Sequence, residues 1–137
     1  MNNQRSRLCR TSLFCLMVLS GGCKDETANA PVNHSPVIIS IYAFPSYVQP
    51  SDSFVVVCSA YEPDGDSIFY DWHCSNGTSI QGAPPGSWSL YNTRDNKRIF
   101  YAPDSSHNTQ DSLRIGVELR DGKGKGTSGG IFVHMTY

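Results

Sequence analysis

Residues 53–75 read SFVVVCSAYEPDGDSIFYDWHCS, and the alternation in this stretch decides the fold. Two runs place an apolar or small residue at every second position, which is the period of a half-buried β-strand. The inward sets are Phe54, Val56, Cys58 and Ala60 in the first run and Ile68, Tyr70, Trp72 and Cys74 in the second. The same alternation turns Asp71 toward solvent. Between the runs, PDGD at 63–66 combines a proline, a glycine that accepts positive φ and two capping aspartates, which predicts a tight connection between strands.

The pattern continues through the rest of the chain. Short apolar or alternating runs, broken by Pro, Gly, Asp and Asn, predict strands near 37–44, 53–61, 68–75, 97–101, 112–120 and 130–137. Leu113, Ile115, Val117 and Leu119 are again expected to face inward. No segment has a long apolar run at helical spacing. We therefore predict an all-β, antiparallel sandwich of about seven strands, forming one domain over residues 36–137.

The first 23 residues have the organisation of an export signal. Three arginines at 5, 7 and 10 precede a short apolar core at 11–19, and LSGGC at 19–23 ends the segment. This ending resembles the lipobox of bacterial lipoproteins, although Ser20 stands where that family usually has leucine. The resemblance implies a signal peptide at 1–22, lipidation of Cys23 and a flexible polar tether at 23–35. An ordinary secretory signal cut nearby is the alternative.

The compartment follows from this segment. The apolar core of about nine residues is too short to span a bilayer, which needs about twenty, so the predicted contact with the membrane is the N-terminal lipid. The mature chain is expected in the cell envelope, outside the cytoplasm. The residue after Cys23 is Lys24 and not the aspartate that resembles an inner-membrane retention signal, so the outer membrane is expected if the host is Gram-negative.

The net charge and the cysteine content indicate which partners and which cysteine chemistry to expect. The formal net charge of the full chain is −1, and without residues 1–22, which contain three arginines and no acid, it is −4. A mildly acidic surface argues against nucleic acid as a partner. The later cysteines, Cys58 and Cys74, form an even pair in an oxidising compartment, which favours a disulfide. Such a bond would stabilise the domain by about 3 kcal/mol, with Trp72 packed against it.

The order of motifs from residue 35 onward resembles PKD-type and Ig-like extracellular modules of bacteria. The resemblance is carried by SPVI at 35–38, by VQPSDSF at 48–54, by YEPDGDSIFYDW at 61–72 and by LRIGVELRDGKG at 113–124. The family's first turn acid is Glu62 here, and its WDFGDG element is replaced by WHCSNG at 72–77. The resemblance therefore implies an Ig-like sandwich in the broader sense more than a strict PKD domain.

Related modules bind calcium at one end of the sandwich, and this implies a set of oxygen ligands here. The candidates are Asn33, Glu62, Asp64, Asp66 and Asp121. Calcium prefers six to eight oxygen ligands, and these residues flank strands whose ends converge in an Ig-like topology. The alternative is that the aspartates are ordinary turn residues. No other cofactor is expected.

The sequence leaves two hypotheses for the function open. No nucleophile elbow, zinc-binding helix or phosphate loop is present, so we expect no enzyme. The first hypothesis is a non-enzymatic binding or structural module for an envelope protein, in adhesion or envelope assembly. The second is a carbohydrate-binding module that uses Trp88 and Tyr91 as an exposed aromatic platform, unless Trp88 folds back over the edge of the sandwich.

Overall fold

The computed structural model describes residues 31–75, 77–104 and 111–137, and over these ranges the chain is all-β. The signal segment 1–22, Cys23 and most of the predicted tether lie outside the described residues. The strands are β1 (Val37–Phe44), β2 (Tyr47–Val48), β3 (Ser53–Tyr61), β4 (Ile68–Cys74), β5 (Ser79–Ile80), β6 (Ser89–Thr93), β7 (Lys97–Tyr101), β8 (Ser112–Asp121) and β9 (Gly126–Met135). A search of the same ranges finds no helix with the length and hydrophobicity needed to cross a membrane.

The strands form two sheets that enclose one core, the arrangement of a β-sandwich. The first sheet has the order β1-β3-β7-β5 and the second the order β2-β9-β8-β4-β6. All pairings are antiparallel except that of β2 with β9, which is parallel. The all-β prediction is confirmed, while the described residues contain nine strands instead of about seven and one pairing that is not antiparallel.

The predicted inward residues build the core because alternation places them between the sheets. The most buried of them, at most 2% exposed, are Phe54, Val56 and Cys58 on β3 and Leu113, Ile115, Val117 and Leu119 on β8. Three others of the predicted set are only partly buried and pack against the core, namely Ala60, Ile68 and Cys74. Trp72 on β4 is fully buried, stacks on Tyr70 at 6.2 Å between ring centroids and meets the edge of Phe100 at 6.0 Å. Trp72 is thus a core residue, as predicted.

Three short strands were not predicted. The two-residue strands β2 and β5 are too short to show a period in the sequence. Strand β6 hydrogen-bonds to β4 with a register shift between Tyr70 and Trp72, and Asn92 adopts a φ of 58°. This irregularity removes the alternation by which a strand is recognised.

The disulfide that we predicted is absent, since Cys58 and Cys74 are both free thiols. The Sγ of Cys74 donates a hydrogen bond to the carbonyl of Thr78 at 3.0 Å. Cys58 lies on β3 of the first sheet and Cys74 at the end of β4 in the second, and a disulfide between sheets requires the two Cα atoms to come within about 7 Å of each other. A shared inward orientation was therefore insufficient to predict the bond. Burial raises the pKa of each thiol to about 11.

The predicted exposure of Asp71 is also wrong. Its side chain lies on the outer face of the second sheet, as alternation requires, yet the residue is only 4% exposed. Arg120 on the neighbouring strand covers it with two hydrogen bonds, Nε to Oδ2 at 2.8 Å and Nη2 to Oδ1 at 3.0 Å. The backbone N–H of Asn92 donates a third at 2.6 Å. Long side chains on adjacent strands can thus bury an outward-facing carboxylate.

Candidate functional site

The predicted acidic residues gather at one end of the domain, in the loop between β3 and β4. Glu62, Asp64 and Asp66 each offer a carboxylate oxygen, and these oxygens lie within 4.8 Å of one another. Glu62 Oε2 accepts hydrogen bonds from the backbone N–H groups of Asp64 at 2.7 Å and Asp66 at 2.8 Å. One carboxylate therefore shapes the loop that carries the other two.

Two further segments reach the same end, as the sequence predicted. Asn33 Nδ2 donates to Asp121 Oδ2 at 2.7 Å, and Asp121 Oδ1 accepts the N–H groups of Lys123 and Lys125 at 2.8 Å each. Asp121 thus caps the turn between β8 and β9 and ties the N-terminal segment to it. Asn33 was assigned to the flexible tether, and here it is bonded to the domain.

Two residues, His34 and Lys123, link these segments to the acidic loop. His34 donates its backbone N–H to Asp64 Oδ2 at 2.6 Å, and its Nδ1 lies 2.9 Å from Asp64 Oδ1. The ammonium group of Lys123 lies 2.9 Å from Asp66 Oδ2. Hydrogen bonds and ion pairs therefore connect the five predicted calcium ligands in one region, which we call the acidic end. Among the acidic residues there, Glu62, Asp64 and Asp66 bring carboxylate oxygens within 4.8 Å of one another, whereas Asp121 is not part of that group.

The hydrogen bonds at the acidic end set its protonation. The backbone and side-chain hydrogen bonds of His34 lower the pKa of Asp64. Burial alone would raise the pKa of Asp121, but the N–H groups of the β8–β9 turn and Asn33 outweigh it, and the pKa is lowered. The hydrogen bond to Asp66 raises the pKa of Lys123. The carboxylates of Asp64 and Asp121 are thus held in their charged forms at neutral pH.

The donor set fits a hard cation such as calcium. Every candidate ligand offers oxygen, which calcium prefers. The Oδ1 of Asn33 and the Oε1 of Glu62 are buried atoms without a hydrogen-bond partner, and buried acceptors of this kind are normally satisfied by a partner. The Lys123 ammonium group already neutralises Asp66, so a cation at this carboxylate would have to displace it.

The two aromatic residues of the carbohydrate hypothesis are both exposed but do not form one platform. Trp88 is 66% exposed and lines a groove formed by the 77–87 segment and Tyr101. Tyr91 is 62% exposed and contacts the ring of His73 at 5.5 Å between centroids, on the outer face of the second sheet. Trp88 precedes β6 and Tyr91 lies within it, and Tyr91 is not among the residues that line the Trp88 groove.

Sequence reasoning missed an exposed apolar surface on the first sheet. Four residues of β1 are exposed and apolar or aromatic, namely Val37, Ile39, Tyr42 and Phe44. Phe44 is paired with Val55, which is paired in turn with Ile99, so the apolar surface continues onto β3 and β7. The sequence VIISIYAF at 37–44 contained the signal, because it is apolar at positions of both parities and only one face of a strand enters the core.

Comparisons with known proteins bear on the fold alone. No family model matches the chain, and no curated protein matches it significantly. A solved structure, described as a nucleoside hydrolase-related hypothetical protein from Saccharophagus degradans that is associated with carbohydrate metabolism, is similar over 77% of this chain with a TM-score of 0.52 and 19% identity. The similar region is 26% of that protein's chain, so the similarity concerns one part of a much longer protein.

Proposed function

We propose that this chain is a non-enzymatic lipoprotein of the cell envelope whose Ig-like, PKD-related sandwich binds another envelope protein. The lipobox-like ending at Cys23 supports the anchor, and the two-sheet architecture agrees with the Ig-like class. Strand β1 carries the proposal. It is an edge strand of eight residues, VIISIYAF, with no charged residue and no proline.

An edge of this kind is unusual because it offers unpaired backbone groups to any extended chain. Natural sheets protect their edges with short strands, charges, prolines or bulges. Strand β1 has one irregularity, between Ile38 and Ser40, and otherwise presents exposed apolar side chains, with Ile39 at 65% and Phe44 at 77% exposure. Addition of a partner strand to such an edge is an established mode of protein recognition.

The other sheet edges are less suited to a partner strand. Strands β2 and β5 have two residues each, and β6 is interrupted at Asn92. The first part of β9 carries three glycines, at 126, 129 and 130, and exposes little apolar surface apart from Phe132. We infer that β1 receives an apolar, extended segment of an envelope protein, which also covers Tyr42 and Phe44.

A cross-linking experiment tests this proposal. The tagged full-length protein is cross-linked in intact envelopes and purified, and the captured proteins are identified. Ile39→Lys and Phe44→Lys place charges on the edge and should abolish capture of a specific partner, because a lysine at an edge opposes strand pairing. Both side chains are exposed, so the fold should be retained.

Phe132→Lys is the matched control. Phe132 is 61% exposed and lies on β9 in the other sheet, so its replacement should leave capture unchanged. Equal capture by the β1 variants and the wild type would overturn the proposal, as would the absence of any protein partner.

Lipidation is tested in the same strains, because Cys23→Ser should move the protein from the membrane fraction to the soluble fraction.

Calcium is the proposed ligand of the acidic end. The buried, unpartnered oxygens of Asn33 and Glu62 support it. Its role there would be structural, since the ligands come from three segments that must meet for the end of the sandwich to close.

A further inference from the structure

The second sheet has a groove across its outer face, away from β1 and from the acidic end. Its volume is about 540 Å³, within the range of about 300–1,000 Å³ that is typical of ligand sites. Gly116 on β8 is paired with Gly130 on β9 and, on its other side, with His73 on β4. Two neighbouring strands therefore carry no side chain at this level, and the backbone forms the floor.

Arg114 and Glu118, two positions before and after Gly116 on β8, form the walls of the groove together with Ser128 on β9. Ser128 is the ladder partner of Glu118. Across the described ranges, neither the Arg114 guanidinium nor the Glu118 carboxylate takes part in a side-chain hydrogen bond or an ion pair. Both are therefore available to a ligand, and both are planar groups that form paired hydrogen bonds.

His73 closes the end of the groove at β4. Its Nδ1 is 2.9 Å from the Oγ of Ser89, which fixes the ring plane, and the exposed ring of Tyr91 packs against it edge to face. Next to it, Asp71 and Arg120 neutralise each other. At the opposite end the groove is open, because β9 is the edge of the sheet beside Gly130. Its neighbour β2 pairs only with His134 and Met135, further along the strand.

The charges around the groove select the ligand class. Arg114 and Glu118, which have no hydrogen-bonded or ion-paired side-chain partner among the described residues, lie on opposite sides of the backbone floor. A ligand with a net charge of either sign would therefore meet a like charge. A wholly apolar ligand would leave the Arg114 guanidinium and the Glu118 carboxylate without partners. Sugar rings have hydroxyl groups for a carboxylate and a guanidinium, and an apolar face for the imidazole ring of His73 and the apolar part of the floor.

We propose that this groove, with Gly116 and Gly130 as its floor, Arg114 and Glu118 as its walls and His73 at its closed end, binds a neutral oligosaccharide. The open end at β9 allows the saccharide to extend beyond the groove. This site is separate from the protein-binding edge, so a single domain would connect an envelope protein to a glycan.

Binding is measured by calorimetry with the purified domain and a panel of neutral oligosaccharides built from glucose, xylose, mannose or N-acetylglucosamine. Gly116→Val fills the floor, and a Cβ at this position meets nothing closer than 3.8 Å, so the fold should tolerate it. We expect this variant to bind at least about tenfold more weakly than the wild type. Glu118→Gln and Arg114→Gln, which change exposed side chains only, should also weaken binding.

Trp88→Ala is the control, because Trp88 lines a different groove, and it should bind like the wild type. Loss of binding in Trp88→Ala with normal binding in Gly116→Val would overturn the proposal and assign the saccharide to the 77–88 loop. Failure of the wild type to bind any neutral oligosaccharide, or binding restricted to charged ones, would also overturn it. Thermal melting of each variant shows whether the fold is intact.

Discussion

At the scale of single residues, Asp71 shows how an outward-facing carboxylate becomes structural. Burial alone would raise its pKa, but hydrogen bonds from Arg120 and from the N–H of Asn92 outweigh this effect, and the pKa is lowered. The folded state therefore favours the charged form. This preference makes stability depend on pH.

We expect Asp71→Asn to lower the free energy of unfolding by about 1–3 kcal/mol at pH 7, because it weakens a hydrogen-bonded ion pair at a position with 4% exposure. A folded-state pKa below the unfolded value of about 3.9 contributes stability that is present above that value and is lost as the pH falls through the lower, folded-state pKa. The difference between wild type and variant in urea unfolding should therefore shrink below about pH 4. A difference that is constant from pH 7 to pH 3 would contradict this explanation.

At the scale of the strands, the paired glycines of β8 and β9 differ in what surrounds them. A Cβ on Gly130 would lie 2.8 Å from the carbonyl oxygen of Ile115, which is backbone and has little freedom to move. A Cβ on Gly116, its partner in the ladder, would make contacts of 3.8 Å or longer. A side chain at position 130 would therefore clash with the backbone, whereas position 116 has room for one.

We expect Gly130→Ala to destabilise the domain by about 1–3 kcal/mol through overpacking, whereas Gly116→Ala should be neutral or slightly stabilising because it restricts the unfolded chain. Urea unfolding of the two variants beside the wild type measures both effects. Equal stabilities of the two variants would mean that the ladder adjusts freely at Gly130.

At the scale of the whole molecule, the acidic end joins parts of the chain that are far apart in sequence. Residues 33–34, the β3–β4 loop and the β8–β9 turn meet through the Asn33–Asp121 and Lys123–Asp66 contacts. A ligand that binds this arrangement and not the unfolded chain must stabilise the fold.

Calcium at about 10 mM should therefore raise the unfolding free energy by about 1.4 kcal/mol if the dissociation constant is about 1 mM, a value typical of extracellular modules. Differential scanning fluorimetry with calcium and with chelator measures this as a shift of melting temperature. Glu62→Gln should reduce the shift, and Lys123→Met should increase it by removing the competing ammonium group. A melting temperature that does not respond to calcium would remove the metal from the proposed function.

Local pattern predicted the long strands and the core, because a period of two determines which side chains leave water and because the burial of apolar surface dominates folding. Strands β1, β3 and β7 have the predicted bounds, β4 and β8 differ by one residue, and β9 begins four residues and ends two residues earlier than predicted. The sequence also predicted that the acidic loop at 62–66, Asp121 and Asn33 would meet at one end of the sandwich. In the structure Asn33 and Asp121 are hydrogen-bonded to each other.

The sequence by itself determined the all-β class, the inward faces and the turns, since these depend on neighbours along the chain. Only the tertiary structure decided that Cys58 and Cys74 are unbonded, that Arg120 covers Asp71, that Trp88 and Tyr91 lie on different surfaces, and that β1 is an exposed edge. Each of these depends on the distance between elements that alternation alone does not specify. Strand order and sheet separation set those distances, and both come from packing of the complete domain.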